Sequence, residues 1–579
     1  MIRPLHRPGV RRGAALIATL LSSSVFGQVQ QAPVSPQQPG RQLAETPPPR
    51  PGSVTVDLPP AKPAFVASDI KVRPAAFRVS GSTVFSQEQL LARLSDFLGQ
   101  ELDFNALADA ASALKRVYVD AGYPLTDVYF PEQSFASQGG TVEFAVVEAR
   151  VGKVNLVVAT DVPVSASLIR DMVDWHLVPG QMITQAGLDR TILLLRDMPG
   201  ITASANVTPG ASVGLADITV SVAAQGSASS FSVGFDNFGV KDVGEYRASF
   251  GAAKNNLLGF GDSLNVNVQP TDQSGTAQYR AGYSSAFGPA GSKLYIGIGQ
   301  SQYRLAGAFA DLNASGEAKT WTAAAIHPLV RSRNNNVFLQ VGADSKLLRD
   351  ETGSYAPVRS VDIGKLGLLG SMAGGGLAEG AFTSYSLTYS AGRLDIRDEE
   401  ARKVDKLDTG PGTQGSFQKV NVELQRVEYL TDTLTLHGSL AAQTASKNLT
   451  SAEKLSLSGS RGVRGYTEVP DTLVDEGMVA SIELRKRLTN FNPFGTSTSI
   501  SLFYDYGQGN RNKVRNATTN SQLVGTENRV EIDSWGVGAR IGIEGDFFVN
   551  ANLAWRAGNP VFANGSPTRK LWLSAVKFF

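Results

Sequence analysis

From about Ser230 to Phe579 the chain alternates apolar and polar residues with period two, and it does so over a length that few folds can absorb. Leu264, Val266 and Val268 alternate with Asn265, Asn267 and Gln269, and Val420, Val422 and Leu424 with Asn421, Glu423 and Gln425. Met478, Ala480, Ile482 and Leu484 alternate with Val479, Ser481, Glu483 and Arg485. Phe547, Val549, Ala551, Leu553 and Trp555 alternate with Phe548, Asn550, Asn552, Ala554 and Arg556. A strand of this kind turns one face to lipid and the other to a wet interior. A soluble sandwich shows the same alternation but does not usually sustain it this long. No segment supplies the ~20 apolar residues of a transmembrane helix. A membrane location therefore requires a closed barrel, in which every backbone donor and acceptor is paired within the sheet. At ~10 residues per strand plus turns, the region accommodates about sixteen antiparallel strands. They are expected near residues 230, 244, 261, 276, 290, 317, 335, 356, 379, 415, 432, 476, 498, 533, 546 and 570.

Composition agrees with a β-rich membrane protein and narrows its chemistry. Charged residues are 18% and glycines number 59. A formal net charge of +2 gives no reason to expect a nucleic-acid partner. With four histidines and no cysteine there is no thiolate chemistry, no disulfide framework and little from which to build a metal site. His176, His327 and His437 stand singly, and no nucleophile elbow or phosphate-binding loop is present, so neither an enzyme nor a cofactor is expected. Arg3, Arg7, Arg11 and Arg12 precede the apolar run Ala14 to Leu21 and a small-residue site near Gly27, the pattern of a signal peptide over residues 1–27. Residues 28–68 are rich in proline, including Pro47, Pro48, Pro49, Pro51, Pro59 and Pro60. That density forbids helix interiors and strand pairing and predicts an extended linker.

Between linker and barrel the pattern strand, helix, helix, strand, strand occurs twice, over residues 69–149 and 150–225. In the first copy Ile70 to Val79 reads as a strand, and Ser86 to Gln89 has the Ser-x-x-Gln form of a capping box. Leu90, Leu91, Leu94, Phe97 and Leu98 then share one helical face. Leu107, Ala111, Leu114 and Tyr118 mark a second helix that stops at Gly122, before the strands Val128 to Phe130 and Thr141 to Val147. The second copy places strands at Val151 to Val158, Ile201 to Thr208 and Leu215 to Val222, with helices at Ser167 to Trp175 and Gln185 to Arg196. Small sheets of this kind have exposed edges that can accept a strand from an extended client.

The longest expected loop of the barrel, residues 446–475, joins strands eleven and twelve and carries Gly459-Ser-Arg-Gly-Val-Arg-Gly-Tyr-Thr-Glu468. Its glycines allow the backbone to turn back on itself, and Val463, Arg464, Gly465 and Tyr466 form its core. Arginine and glycine together also suit a solvated surface turn, so the motif alone does not decide. In the strand near 500, Ile500, Leu502, Tyr504 and Tyr506 form the lipid-side set, which leaves Ser501, Phe503, Asp505 and Gly507 facing the lumen. A carboxylate facing lipid would cost several kcal/mol, which favours the inward assignment of Asp505.

Tyr118-Val-Asp-Ala-Gly-Tyr-Pro124 and Asp197-Met-Pro-Gly200, within two repeats of that element order, resemble POTRA domains, the polypeptide-transport-associated modules of outer-membrane export and assembly proteins. Four further stretches resemble the transporters of two-partner secretion, the hemolysin-activator and filamentous-hemagglutinin exporter family. These are Phe235-Asp-Asn-Phe-Gly239, Asn256-Leu-Leu-Gly-Phe-Gly-Asp262, Val463-Arg-Gly-Tyr466 and Phe503-Tyr-Asp-Tyr-Gly507. The resemblance implies an outer-membrane barrel over 229–579 preceded by two periplasmic POTRA domains, with the 446–475 loop folded into the lumen and Arg464 paired with Asp505. It further implies a large secreted exoprotein as partner, of adhesin, cytolysin or heme-scavenger type, bound through its N-terminal secretion domain. Outer-membrane lipid and the barrel assembly machinery are the other expected partners, the latter addressed by the terminal Phe578-Phe579, although Lys577 breaks the alternation there. In a hydrated lumen an Arg464–Asp505 pair at ~4 Å would gain about 1–4 kcal/mol. Family members place a plug helix before the first POTRA domain, and the proline content of 28–64 puts such a plug in doubt here. An assembly or insertion factor of the same superfamily is the second reading, but such factors generally carry three or more POTRA repeats. An enzyme ranks third, and a passive porin, which would lack the repeats, fourth.

Overall fold

The computed structural model describes residues 56–57, 71–131, 133, 140–353, 355–378, 380–407, 410–468, 470–514, 527–558 and 567–579. The expected signal peptide and nearly all of the linker lie outside the described residues.

Strand β1 (Val56–Asp57) is a piece of the linker, and it lies parallel to β6 (Ile201–Pro209), with Val56 opposite Ala205. The expectation that prolines forbid pairing throughout 28–68 is corrected here. The stretch between Pro51 and Pro59 has no proline, and its backbone donors are free to join a sheet.

The first repeat forms the sheet β2 (Ala76–Ser80), β4 (Thr141–Val147), β3 (Asp127–Tyr129), with β2 parallel and β3 antiparallel to the central β4. Strand β2 starts later than expected from Ile70. Pro74 has no N–H to donate, its carbonyl accepts from Gly99 N, and Val72 bridges to Leu102 instead. Ser86 and Gln89 close the capping box of the helix Gln87–Leu91, which tightens to a 3₁₀ helix over Ala92–Phe97. With three residues per turn the stripe drifts, so Leu90 and Leu94 are buried while Leu98 is 50% exposed. Helix Phe104–Asp120 covers the sheet through Leu107, Ala111, Leu114 and Tyr118 and ends before Gly122 at φ +89°.

The second repeat has the same topology: β5 (Arg150–Val158) is parallel to the central β7 (Leu215–Ala224), and β6 is antiparallel to it. Helices Ala166–His176 and Gln185–Arg196 bury Ile169, Val173, Leu188, Ile192 and Leu195 against this sheet.

Sixteen strands then close into one antiparallel barrel. The first eight are β8 (Ser229–Asp236), β9 (Arg247–Asn255), β10 (Ser263–Pro270), β11 (Ala277–Phe287), β12 (Ser292–Arg304), β13 (Ala314–Arg331), β14 (Asn335–Thr352) and β15 (Val358–Ala373). After β16 (Ala381–Ile396), β17 (Gly415–Tyr429) and β18 (Leu434–Ala445), the chain makes the inner hairpin β19 (Leu455–Ser456) and β20 (Leu473–Val474). The wall resumes with β21 (Glu476–Leu488), β22 (Ser497–Asn510), β23 (Arg529–Ile543), β24 (Phe547–Arg556) and β25 (Arg569–Phe578). Strand β25 returns to β8 over a short register, Ser574 opposite Asp236 through Phe578 opposite Ser232. The strand number and the outward parity of Ile500, Leu502 and Tyr504 agree with the alternation in the sequence, since all three are exposed on the outer face.

The two rims differ. Short turns such as 332–334 and 544–546 lie on the side of the second repeat, and the strand ends that lead into the long connections after β16, β18 and β22 lie on the opposite side. The second repeat is bolted to the short-turn rim. Arg331 Nε and Nη2 donate to the two carboxylate oxygens of Asp197 at 2.8 and 2.7 Å, and Arg333 makes the same fork to Asp189 at 2.8 and 2.7 Å. Asn256 Nδ2 donates to Pro199 O at 2.6 Å, and Gly261 leaves the space that Met198 fills. Two of the phrases that carried the resemblance, Asp197–Gly200 and Asn256–Asp262, thus form one joint.

Candidate functional site: the lumen loop and its wall

Residues 446–475 leave β18 at the long-loop rim and fold inward as a hairpin. Leu455 pairs with Val474 and Ser456 with Leu473, and Leu457 N donates to Thr472 O at 3.0 Å. Beyond this stem the chain makes a compact tip. Gly459 N donates to Tyr466 O at 3.1 Å, Gly462 N to Gly459 O at 3.1 Å and Val463 N to Leu457 O at 2.9 Å. Gly459, at φ +103°, supplies a backbone conformation that other residues rarely adopt. Leu457, Val463 and Tyr466 pack against Val474, Val479, Val530 and Ile532. The tip therefore docks on the wall as a small apolar core, and Tyr466 is buried in it.

Wall parity determines what the tip meets. Register places Ser481, Asp505 and Ser534 side by side on β21, β22 and β23, all facing inward, with Glu483 and Phe503 the next inward pair. Arg464 enters this cluster. Its Nε donates to Asp505 Oδ2 at 2.9 Å and its Nη2 to Asp505 Oδ1 at 2.8 Å, a two-pronged fork, while Nη1 donates to Glu483 Oε2 at 2.9 Å. The guanidinium carbon lies 3.3 Å from the centroid of the Phe503 ring. Gly536, opposite Phe503, has no Cβ to occupy the space of that ring. Backbone contacts complete the seat: Arg464 N donates to Asp505 Oδ2 at 3.1 Å, Gly465 N to Ser534 Oγ at 3.0 Å, and Trp572 Nε1 to Arg464 O at 2.7 Å. A Cβ on Gly465 would lie 2.7 Å from Ser534 Cβ, and one on Gly507 would lie 3.0 Å from Val463 Cγ2. Glycine is what lets loop and wall approach at 465, whereas a Cβ at 507 needs only a small shift of the Val463 methyl.

The seat is dry. Asp505 is 0% and Arg464 9% exposed, so the weak pairing expected for a hydrated lumen does not describe it. Two carboxylates facing one guanidinium would repel each other, but Ser481 Oγ donates to Asp505 at 2.7 Å and Arg485 Nη2 to Glu483 at 2.9 Å. Every charge thus has a partner, which a buried ionic cluster requires.

All seven residues singled out in the sequence, Val463, Arg464, Gly465, Tyr466, Phe503, Asp505 and Gly507, are brought together at this seat. Sequence reasoning missed Glu483, Ser481, Ser534 and Trp572. Parity marks Ser481 and Glu483 as inward, but only the depth to which the loop descends selects them from the other inward polar residues. No group of three or more His, Asp or Glu residues suited to a metal occurs among the described residues.

Comparison with known proteins agrees with this architecture. The family model of the haemolysin secretion/activation protein ShlB/FhaC/HecB matches residues 214–531, more than half of the chain, and that of the ShlB-type POTRA domain matches residues 73–149. The heme/hemopexin transporter protein HuxB of Haemophilus influenzae is 27% identical over 496 residues, covering 85% of this chain and 84% of its own. The outer membrane transporter CdiB of Dickeya dadantii is 22% identical over 403 residues, 68% of each chain. Among solved structures, CdiB from Escherichia coli superposes with a TM-score of 0.68 at 16% identity, over 100% of both chains, which shows a shared fold. The chain belongs to the haemolysin secretion/activation protein family of ShlB, FhaC and HecB, the two-partner secretion transporters that carry a partner protein across the outer membrane with their POTRA domains in the periplasm.

Proposed function

We propose that the 446–475 loop is the gate of this transporter and that the Arg464 seat holds it shut. The exported partner is a large exoprotein, of adhesin, cytolysin or heme-scavenger type, recognised through its N-terminal secretion domain. It arrives unfolded in the periplasm, adds strands to edges of the two small sheets, threads the lumen as the loop withdraws, and folds outside. Residues 69–149 and 150–225 act as the receptor, the barrel over 229–579 acts as the conduit, and the chain catalyses no covalent step. The two residues of β1 already occupy part of the β6 edge, so the other edges receive the client first.

One observation carries this reading: the loop lies inside the barrel and docks on the wall through a dry, fully paired ionic seat. A reversible staple tests it. A Cβ on Gly507 would lie 3.3 Å from Leu457 Cβ, close to the ~3.5–4.5 Å of a disulfide, and the chain has no cysteine of its own. Leu457→Cys with Gly507→Cys should lower export of the partner at least tenfold when oxidised and recover on reduction. Normal export through a fully cross-linked barrel would rule out loop withdrawal.

A further inference from the structure

Glu453 belongs to the stem of the loop, well away from the tip, and is 1% exposed. Its carboxylate meets two lysines of the wall, Lys346 of β14 at 2.7 Å and Lys419 of β17 at 3.0 Å. Both lysines are buried, at 7% and 8% side-chain exposure. Lys419 Nζ also donates to the Glu453 carbonyl at 3.1 Å. Gln443 of β18 donates to the same carbonyl and to the Asp475 carbonyl, at 3.1 Å each, so it ties the two legs of the loop together where they enter. Lys454 and Asp475 pair across the same point at 2.9 Å. Around the barrel, β14 and β17 lie on a different arc from β21, β22, β23 and β25, which seat Arg464. The loop is therefore fixed to the wall at two separate places by two separate ionic clusters.

We propose that Glu453, with Lys346 and Lys419, is a second latch of the lumen loop. It acts as a positioning group that holds the stem while the Arg464 seat holds the tip, and opening requires both to break. The physical ground is the imbalance of the cluster. One carboxylate neutralises two buried ammonium groups, so withdrawing the stem leaves both lysines of the wall unpaired unless water or client replaces Glu453. Tip release alone then gives a partly undocked loop that reseats readily, stem release alone leaves the tip seated, and weakening either latch lowers the cost of breaking both. This proposal rests on the reading of the loop as the gate.

The test is single-channel recording of the full chain in planar bilayers, alongside the temperature at which the barrel loses its folded mobility on gels. Glu453→Gln should raise the occupancy of the open state at least tenfold while that temperature stays put. Reversing the cluster, with Glu453→Lys, Lys346→Glu and Lys419→Glu together, should return the occupancy toward wild type. If Glu453→Gln does not assemble, Lys346→Gln and Lys419→Gln each leave one pair intact and should each give a smaller rise. Wild-type occupancy in Glu453→Gln, or in both single lysine variants, overturns the second latch. So does a charge-reversed variant no more closed than Glu453→Gln. The Leu457–Gly507 staple separates the two ideas. If the oxidised staple leaves the channel as open as before, the gate reading itself fails; if it closes the channel yet Glu453→Gln alone does not open it, the second latch alone fails.

Discussion

Replacing Arg464 with alanine removes three side-chain hydrogen bonds to two buried carboxylates and the stacking on Phe503. Breaking a buried pair by deleting one partner typically costs about 3–5 kcal/mol, mostly because the remaining charge is stranded. Here the stranded groups retain some help: Asp505 still accepts from Ser481 and Glu483 from Arg485. The lower end, about 3 kcal/mol, is therefore the better estimate, and at 1.4 kcal/mol per tenfold it shifts the docked-to-undocked ratio about 150-fold. The barrel wall, whose strands are paired throughout, does not depend on this cluster. Arg464→Ala should consequently insert and keep its heat-modifiable mobility, yet show a large rise in open-state occupancy in planar bilayers and poor export. Arg464→Lys keeps the charge but loses the fork and the ring contact, and should fall between the two. Arg464→Asp combined with Asp505→Arg should recover part of the closed state, because Glu483 still faces the new arginine. An assembled Arg464→Ala channel with occupancy within twofold of wild type would refute the reasoning, as would a swap no better than the worse single change.

Two further outcomes are expected. Replacing Arg331 and Arg333 with glutamine removes both forks between the barrel rim and the helix Gln185–Arg196 of the second repeat with its C-cap Asp197; export should fall, and amide exchange in that helix should rise, with channel conductance unchanged. His176, on the helix Ala166–His176, has its pKa lowered to about 4 by burial and by the neighbouring Arg190. The folded domain therefore favours neutral imidazole, the unfolded chain binds the extra proton below its ordinary value of about 6.5, and the stabilisation is present above that value and lost as pH falls through about 4. The amide protection factors of that helix, corrected for the intrinsic exchange rate at each pH, should fall between pH 6.5 and 4 in the wild type and much less in His176→Gln.

Much of the fold was legible because a barrel strand is a local object. Period-two alternation reports lipid on one side wherever it occurs, and so Ile500, Leu502 and Tyr504 declare their face without knowledge of any partner. The same parity turned Asp505 inward. What it does not report is distance across the lumen. Glu483, Ser534 and Trp572 join Arg464 only because the loop descends to a particular depth, and that depth is set by the stem pairing of Leu455 with Val474 and by the apolar core around Val463. Lys346 and Lys419 sit far apart in sequence and meet through Glu453, for which no spacing rule exists. The linker misled for the opposite reason. Its prolines are a reliable sign of extended chain, but they say nothing about the proline-free stretch that contributes Val56 and Asp57 to a sheet.

The indole of Trp572 donates to the carbonyl of Arg464 from β25, the strand that closes the barrel against β8. The loop precedes that strand by about a hundred residues, yet its seat lacks one wall until β25 has paired with β24. A sheet that stops at β24 offers the Arg464 carbonyl no indole, so the last contacts of the loop form only once the strand that closes the ring is in place.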